Sequence, residues 1–475
     1  MHEALAPSKG PLKSAKPTGK ILDFHREVVC TVSTRREFLA QTTAAAIFAA
    51  TSQLAGSTSK KAASDASKGA PRTASRRGSS IKSLVRREET TLRLGGHGAE
   101  WHMSWAADDR QFVSLGGGMG WSDNPERVYI SRLLAISNGP LDATFQDVSS
   151  YPDLLQASEN ENAPPPYICF GTIALDGRIY QFLNTLERGT PSTRTRNFIG
   201  TKLIYSPDNG RTWCNQDRST PVVWETWENR SRKSLLFFEE PQNTFSLLSV
   251  LQMGRNYEAN RDGYVYIYAC DGNTEGTMNR LVLCRVPKAH ILDRAAYEFF
   301  SGPKSEGSAT WAKDISARAI VHTFPTGWVN ATGVPHAWQP SVVYNAPLGL
   351  YMMANWGNGI APDGAGFVKP CYIGFWTAPN PWGPWTQIHE GTAWTPGNDP
   401  GSRAYMPIIA PKWIAEDGKS FWIVWSDLQR KGSKEELERF RKESKQMSPR
   451  DRVQAMRRLM PYYAFNTQRV DLVVA

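Results

Sequence analysis

Several things are missing from this chain of 475 residues, and each absence removes a class of function. Its six cysteines show no Cys-x-x-Cys or other metal spacing, so no zinc site is written into the sequence. No Gly-rich loop runs into Lys-Ser or Lys-Thr, and Gly116-Gly117-Gly118 lacks a strand-to-helix context, so a phosphate cradle is not indicated. A Gly-x-Ser-x-Gly elbow is absent as well. The mild apolar run Thr42 to Ala55 is too short for a resident transmembrane helix. Positive charge is scarce where it would matter. The formal net charge is +10, yet residues 1–90 hold 16 Lys/Arg against 7 Asp/Glu and residues 430–458 hold 11 against 5. The body between them is slightly acidic, which argues against a nucleic-acid-binding face.

What is present is a repeated hairpin signal. Asp262-Gly263 supplies a tight turn, and Tyr264, Tyr266 and Tyr268 then alternate with Val265 and Ile267 at the period of a strand. The same pattern recurs at Asp108-Asp109, Asp176-Gly177, Pro347-Leu348-Gly349 and Asp417-Gly418, each with an apolar run on both sides. These stations lie roughly 70 to 85 residues apart, a spacing that suits large propeller blades. The expected fold is all-β: a five-bladed β-propeller over residues 91–475 with a C-terminal helical insertion at 433–460. A β-sandwich with irregular insertions is the alternative. All 17 Trp lie beyond residue 100, where such side chains can fill wedges between blades or stack on sugar rings at the mouth.

In chain order, residues 1–56 read as a leader, because Thr34-Arg35-Arg36-Glu37-Phe38-Leu39 before an Ala-rich run looks like a twin-arginine export signal. Residues 57–90 read as a disordered basic linker. The five body cysteines cannot all pair; Cys270 and Cys284 could face each other, and buried free thiols are the other reading. Ser206-Pro-Asp208-Asn-Gly210-Arg-Thr-Trp213 matches the Asp-box turn, in which Asp caps the turn backbone and Trp packs beneath. Between 433 and 458 the apolar spacing turns helical, with Ser448-Pro449 as a helix start. Tyr462 to Val474 returns to strand and is expected to close the ring.

Several motifs in order resemble the bacterial domain-of-unknown-function family 4185 from about residue 97 to the end. They are Trp105-Ala-Ala-Asp108-Asp109, Arg261-Asp-Gly-Tyr-Val-Tyr266, Arg285-Val-Pro-Lys288 with Tyr297-Glu-Phe-Phe300, Ala378-Pro-Asn-Pro-Trp-Gly-Pro-Trp385, and Pro411-Lys-Trp413-Ile with Asp417-Gly418. The resemblance implies a five-bladed propeller related in shape to furanosidases, some members being endo-D-arabinanases. Members of that family often read Asp-x-Trp-Pro-x-Thr-Trp-Ala and Gly-Asp-Gly where this chain has Ala99-Glu100-Trp101 and Gly116-Gly117-Gly118. If those aspartates are the acid pair, Glu100 alone could stand in for one.

Glycoside hydrolysis uses two carboxylates across the scissile bond. Glu100 and Asp123, flanking the first inner strand, are the candidate bases; Glu240 and Glu258, near the third, are the candidate acids. Trp101, His102, His336, Trp338, Gln339, Asn355, Trp356 and Tyr405 are the candidate saccharide-binding residues, offering hydrogen bonds and flat apolar faces. No cofactor or metal ligand is assigned, and a structural calcium ion in the channel stays open. The expected partner is a polysaccharide or oligosaccharide, with no nucleic acid and no membrane-resident helix, for a protein exported to the periplasm or beyond. Two functions follow: an exported glycoside hydrolase, or a glycan-binding propeller that lost its acid pair. A protein-interaction scaffold using the late helices is a third.

Overall fold

The structure is a computed structural model describing residues 80–475 apart from 123, 125–126, 156–164, 188–197, 234, 273–278, 325–338, 358–370, 428–430 and 445. Five antiparallel sheets carry almost all of the strand content. Blade I runs outward from His97–Ala99 and Met103–Trp105 through Gln111–Gly120 and Tyr129–Ser137 to Thr144–Asp147. Blade II comprises Tyr167–Leu175, Arg178–Leu186, Phe198–Ser206 and Cys214–Asn215. Blade III comprises Leu248–Val250, Tyr264–Cys270, Arg280–Pro287, Glu298–Pro303 and Ala309–Ala312. Blade IV comprises Ser341–Asn345, Leu350–Gly357, Cys371–Ala378 and Thr386–Trp394. In blade V the inner strand is Ala404–Ile414, followed by Ser420–Asp427 and Asn466–Val474.

The inner strands of successive blades touch, and that of blade V returns to Met103–Trp105 of blade I, so the sheets close a ring. All five sequence stations join an inner strand to the second strand of its blade. They therefore gather at one end of the ring, the turn end. The inner strands start at the other end, the mouth.

A blade has neighbours on both faces, so its strands are apolar on both. Tyr167–Leu175 is buried at every position, and Tyr264–Cys270 at all but the first. The core consequently lies in wedges rather than in one central mass. Trp213 fills the wedge between blades I and II, and Trp394 and Trp425 the one between IV and V. Trp101 and Trp413 fill the wedge between V and I.

Ring closure differs from the expectation. Asn466–Val474 is the third strand of blade V, and its outermost strand is Ile81–Arg86, paired antiparallel with Leu84 opposite Leu472. Residues 81–86 thus belong to the propeller and not to a linker. Leu84 is buried in the wedge beside blade IV, and this apolar anchor, within a basic stretch, holds the segment on the sheet. Between the second and third strands of blade V the chain forms two helices, α1 (Lys434–Glu443) and α2 (Pro449–Leu459). Ser433 caps α1 in a reciprocal box with Glu436, and Ser448 caps α2 with Pro449 in its first turn. No described helix is long and apolar enough to cross a membrane.

The Asp-box reads as expected: Asp208 accepts from the Arg211 and Thr212 amides at 3.0 and 2.8 Å, and Trp213 is buried beneath. No disulfide joins the five body cysteines among the described residues; Cys270 pairs across the strands with Leu281 and Cys284 with Ile267, so those two do not face each other.

Candidate functional site

At the mouth, inner strands begin with backbone that extended residues do not adopt. Glu100 (φ 69°), Phe245 (φ 61°), Gln339 (φ 59°) and Met406 (φ 55°) all take left-handed conformations there. Such strain costs about 1–3 kcal/mol per residue and persists only where the surroundings impose it. Its effect is to swing successive side chains around the rim.

Glu100 is the acidic candidate placed at this rim. Its carboxylate lies over Gly116 on the neighbouring strand, and a Cβ at position 116 would collide with Oε2. The same carboxylate adds to the rise of the Cys169 thiol on blade II, which burial chiefly pushes up to about 12. Glu100 therefore sits between blades I and II. The glycines beside it have separate reasons: a Cβ at Gly118 would strike the His97 backbone, and Gly117 accepts a 3.1 Å hydrogen bond from the Tyr463 hydroxyl.

Neither Glu240 nor Glu258 is brought to Glu100. Glu240 is buried and clamped by Arg232 at 2.9 Å and Arg294 at 2.7 Å, so its carboxylate is already engaged by two cations. Glu258 is exposed and lies in the connection leading to Asp262-Gly263, at the turn end. Asp123 lies outside the described residues, as do His336 and Trp338.

Among the binding candidates, Trp101 is turned into the wedge between blades V and I, where its indole donates to Ser426 Oγ at 2.8 Å. It is 1% exposed and offers no face to a ligand. Trp356 is equally buried and meets Tyr405 edge-on at 5.7 Å between ring centres. Together with Ala99, Phe170, Leu247 and Met406 this pair forms an apolar floor across the mouth. Trp356 is thus part of the floor, and not a stacking platform open to solvent. Asn355 is fully buried beside it, and Gln339, two residues ahead of the Ser341–Ala354 pair, brings a buried amide to the same rim. Neither amide atom of Gln339 has a hydrogen-bond partner among the described residues.

His102 lies beneath the floor, edge-on to Phe170 at 5.6 Å. Burial drives its pKa down to about 3, so the ring is neutral. It lines an axial cavity of about 20 Å³ with Thr172, Ser249, Gln252 and Ser341. That is room for about one water molecule, so this cavity is too small for a saccharide unit.

Sequence reasoning missed two acids at the mouth ends of second strands. Asp271 in blade III is held by Arg280 and Arg318 at 2.9 and 2.8 Å. Asp427 in blade V is pushed up by burial, an effect opposed by Arg93 at 3.0 Å, and accepts from Ser402 Oγ. The usable signal was an apolar second strand with a buried polar residue within two positions of its mouth end: Asn184, Asp271, Asn355 and Asp427 in blades II to V.

Among the described residues no cluster of His, Cys, Asp and Glu is arranged to hold a metal ion. Comparison with curated proteins finds no match. Similar solved structures include an α-L-arabinofuranosidase from Podospora anserina, at 10% identity and TM-score 0.38, covering 85% of this chain and 93% of that one. An endo-arabinase from Bacteroides thetaiotaomicron shows 14% identity and TM-score 0.36, covering 73% and 92%. A GH43_1 enzyme from Xanthomonas citri shows 12% identity and TM-score 0.37, covering 81% and 92%. The profile of the domain of unknown function DUF4185 matches residues 142–430, narrower than the span expected from motifs and ending before α1 and α2. That match covers more than half of the sequence, and the chain belongs to the DUF4185 family.

Proposed function

We propose that this protein is an exported, carbohydrate-active propeller that takes a saccharide across its mouth and acts as a glycoside hydrolase on a polysaccharide, such as the furanoside polymer arabinan. The observation that carries the reading is Glu100: a carboxylate in left-handed backbone, seated in a cradle that only glycine at 116 leaves open. The buried Gln339 amide on the same rim, which has no hydrogen-bond partner among the described residues, supports it, since a ligand hydroxyl could satisfy it. In hydrolysis Glu100 would be the ionised member of the pair, activating water or attacking the anomeric carbon. Asp123, the other candidate base, lies outside the described residues.

A second reading is a glycan-binding propeller without chemistry. It is favoured by the clamp on Glu240 and the turn-end position of Glu258, which leave neither free to protonate a leaving oxygen at the mouth.

Reducing-end release from arabinan and other bacterial and plant polysaccharides, with Glu100→Gln alongside, separates the two. Release that falls by about a hundredfold or more in Glu100→Gln supports hydrolysis. Retarded migration in a polysaccharide gel without release supports the binding reading, and neither effect with any polymer sinks both. Export is the reading of Arg35-Arg36 before Phe38-Leu39. Replacing both arginines by lysine should retain the protein in the cytoplasm, and unchanged export would overturn that part.

A further inference from the structure

A second cleft opens between blades II and III at the turn end, remote from the mouth, with a volume of about 490 Å³. This is within the range of small-ligand sites, roughly 300–1,000 Å³. One wall is the hairpin turn of blade II, where Asp176 and Arg178 flank Gly177 and Tyr180 follows on the strand. The other wall is Pro287-Lys288 at the end of the third strand of blade III, fixed by a 2.9 Å hydrogen bond from the Lys288 amide to the Gly263 carbonyl. His290 completes the rim.

Four arginines of blade III are engaged in ion pairs: Arg280 and Arg318 with Asp271, Arg285 with Glu298, and Arg294 with Glu240, all at 2.7–2.9 Å. Arg178, Lys288 and His290 make no ion pair among the described residues, and Asp176 is the one carboxylate lining the same space. The Arg178 guanidinium instead approaches the Tyr180 hydroxyl, whose pKa burial raises and Arg178 pulls back. The cleft thus presents the Arg178 and Lys288 cations beside Pro287, while the Tyr180 ring is buried. That combination matches an oxyanion, which the two cations would meet. The motif Arg285-Val286-Pro287-Lys288 then has a division of labour, with Arg285 closing a structural pair and Lys288 turned to the cleft.

We propose that this cleft is an accessory site for an anionic saccharide unit, a uronate or a phosphosugar, which holds an acidic polymer while the mouth works elsewhere on it. The saccharide part rests on the carbohydrate reading of the mouth; the anion part rests on the cleft alone.

The test is calorimetric titration of the full chain at low ionic strength with D-glucuronate, glucose 1-phosphate, neutral glucose and inorganic phosphate. Wild type, Arg178→Gln/Lys288→Gln and Glu100→Gln are compared, with melting temperatures confirming that each is folded. Expected is binding of one or both sugar anions, weakened about tenfold or more in the double variant and unchanged in Glu100→Gln, with glucose not bound. Glucuronate and glucose 1-phosphate tell a carboxylate from a phosphate source. No binding of either sugar anion, or equal binding by the double variant, overturns the proposal. Phosphate binding as tightly as glucose 1-phosphate overturns its saccharide part. Loss in Glu100→Gln alone would place the anions at the mouth. Failure at the mouth is read separately, from the neutral-polymer release assay.

Discussion

Gly116 is the space into which the Glu100 carboxylate fits: any Cβ at 116 would overlap Oε2. The two residues face each other across the first two strands of blade I, and Ile130 O bounds the other side of the same space. Gly116→Ala should therefore act like a Glu100 variant although it removes no charge. The expected result is saccharide binding or release lowered to the level of Glu100→Gln, with a stability loss of about 1–3 kcal/mol from overpacking. Urea titration and the release assay measure the two parts. A Gly116→Ala protein with undiminished saccharide response would separate Glu100 from function.

His102 makes stability fall in acid. Its folded pKa is about 3 because the ring is buried, whereas the unfolded value is 6.5. The unfolded chain therefore takes up a proton below pH 6.5 that the folded one refuses, and stability falls as pH drops from there toward 3. The slope from one such proton is about 1.4 kcal/mol per pH unit. His322, pushed down to about 4 by burial, contributes with the same sign, so the difference between proteins isolates His102. His102→Gln should be less steep than wild type by about one proton between pH 6 and 4 in urea midpoints converted to free energy. Parallel pH profiles would show that the imidazole is charged in the folded protein.

Blade II contains a buried ion pair that will not tolerate losing one member. Lys202 Nζ lies 2.6 Å from Glu225 Oε1, with the lysine side chain fully buried and the glutamate 5% exposed. Glu225 Oε2 also accepts from the Tyr167 hydroxyl at 2.8 Å. Lys202→Met strands a buried carboxylate, at a cost of about 3–5 kcal/mol. Adding Glu225→Gln should recover part of that loss. A single variant as stable as wild type in urea would mean that water reaches the site.

The fold was legible because its punctuation is local. Asp176-Gly177, Asp262-Gly263 and Asp417-Gly418 each fix a hairpin through a few neighbouring backbone groups, and all five stations proved to be the same turn of successive blades. The Asp-box was legible for the same reason. The site was less so, because what decides it is which end of the ring a residue reaches and what comes to it from far along the chain. Glu258 and Glu100 look alike in sequence, yet they sit at opposite ends of their hairpins. Glu240 looks available until Arg294, 54 residues on, is folded against it. Trp356 reads equally well as stacking platform or inter-blade core and Trp101 as a saccharide contact, and only the neighbouring blades show that both are core.

Ring closure joins the two ends of the described chain, and it was hidden in a stretch whose composition is that of a linker. Ile81–Arg86 adds to Asn466–Val474 with Leu84 opposite Leu472 and Val85 opposite Asp471, and Arg87 reaches Asp471 at 2.6 Å. The ion pair is partly exposed and adds little, whereas Leu84 is 5% exposed in the wedge with Phe421 and Val470. Leu84→Ala should therefore cost about 2–4 kcal/mol. Arg87→Ala should cost less than about 1 kcal/mol. Because the strand is the outer edge of blade V, its loss bares the backbone of Asn466–Val474, and a chain starting at residue 87 should associate or be digested faster than one starting at 80. Urea titration, sedimentation and limited proteolysis of these variants provide the check. If Leu84→Ala and the shorter chain match wild type in all three, the ring is held without its first strand.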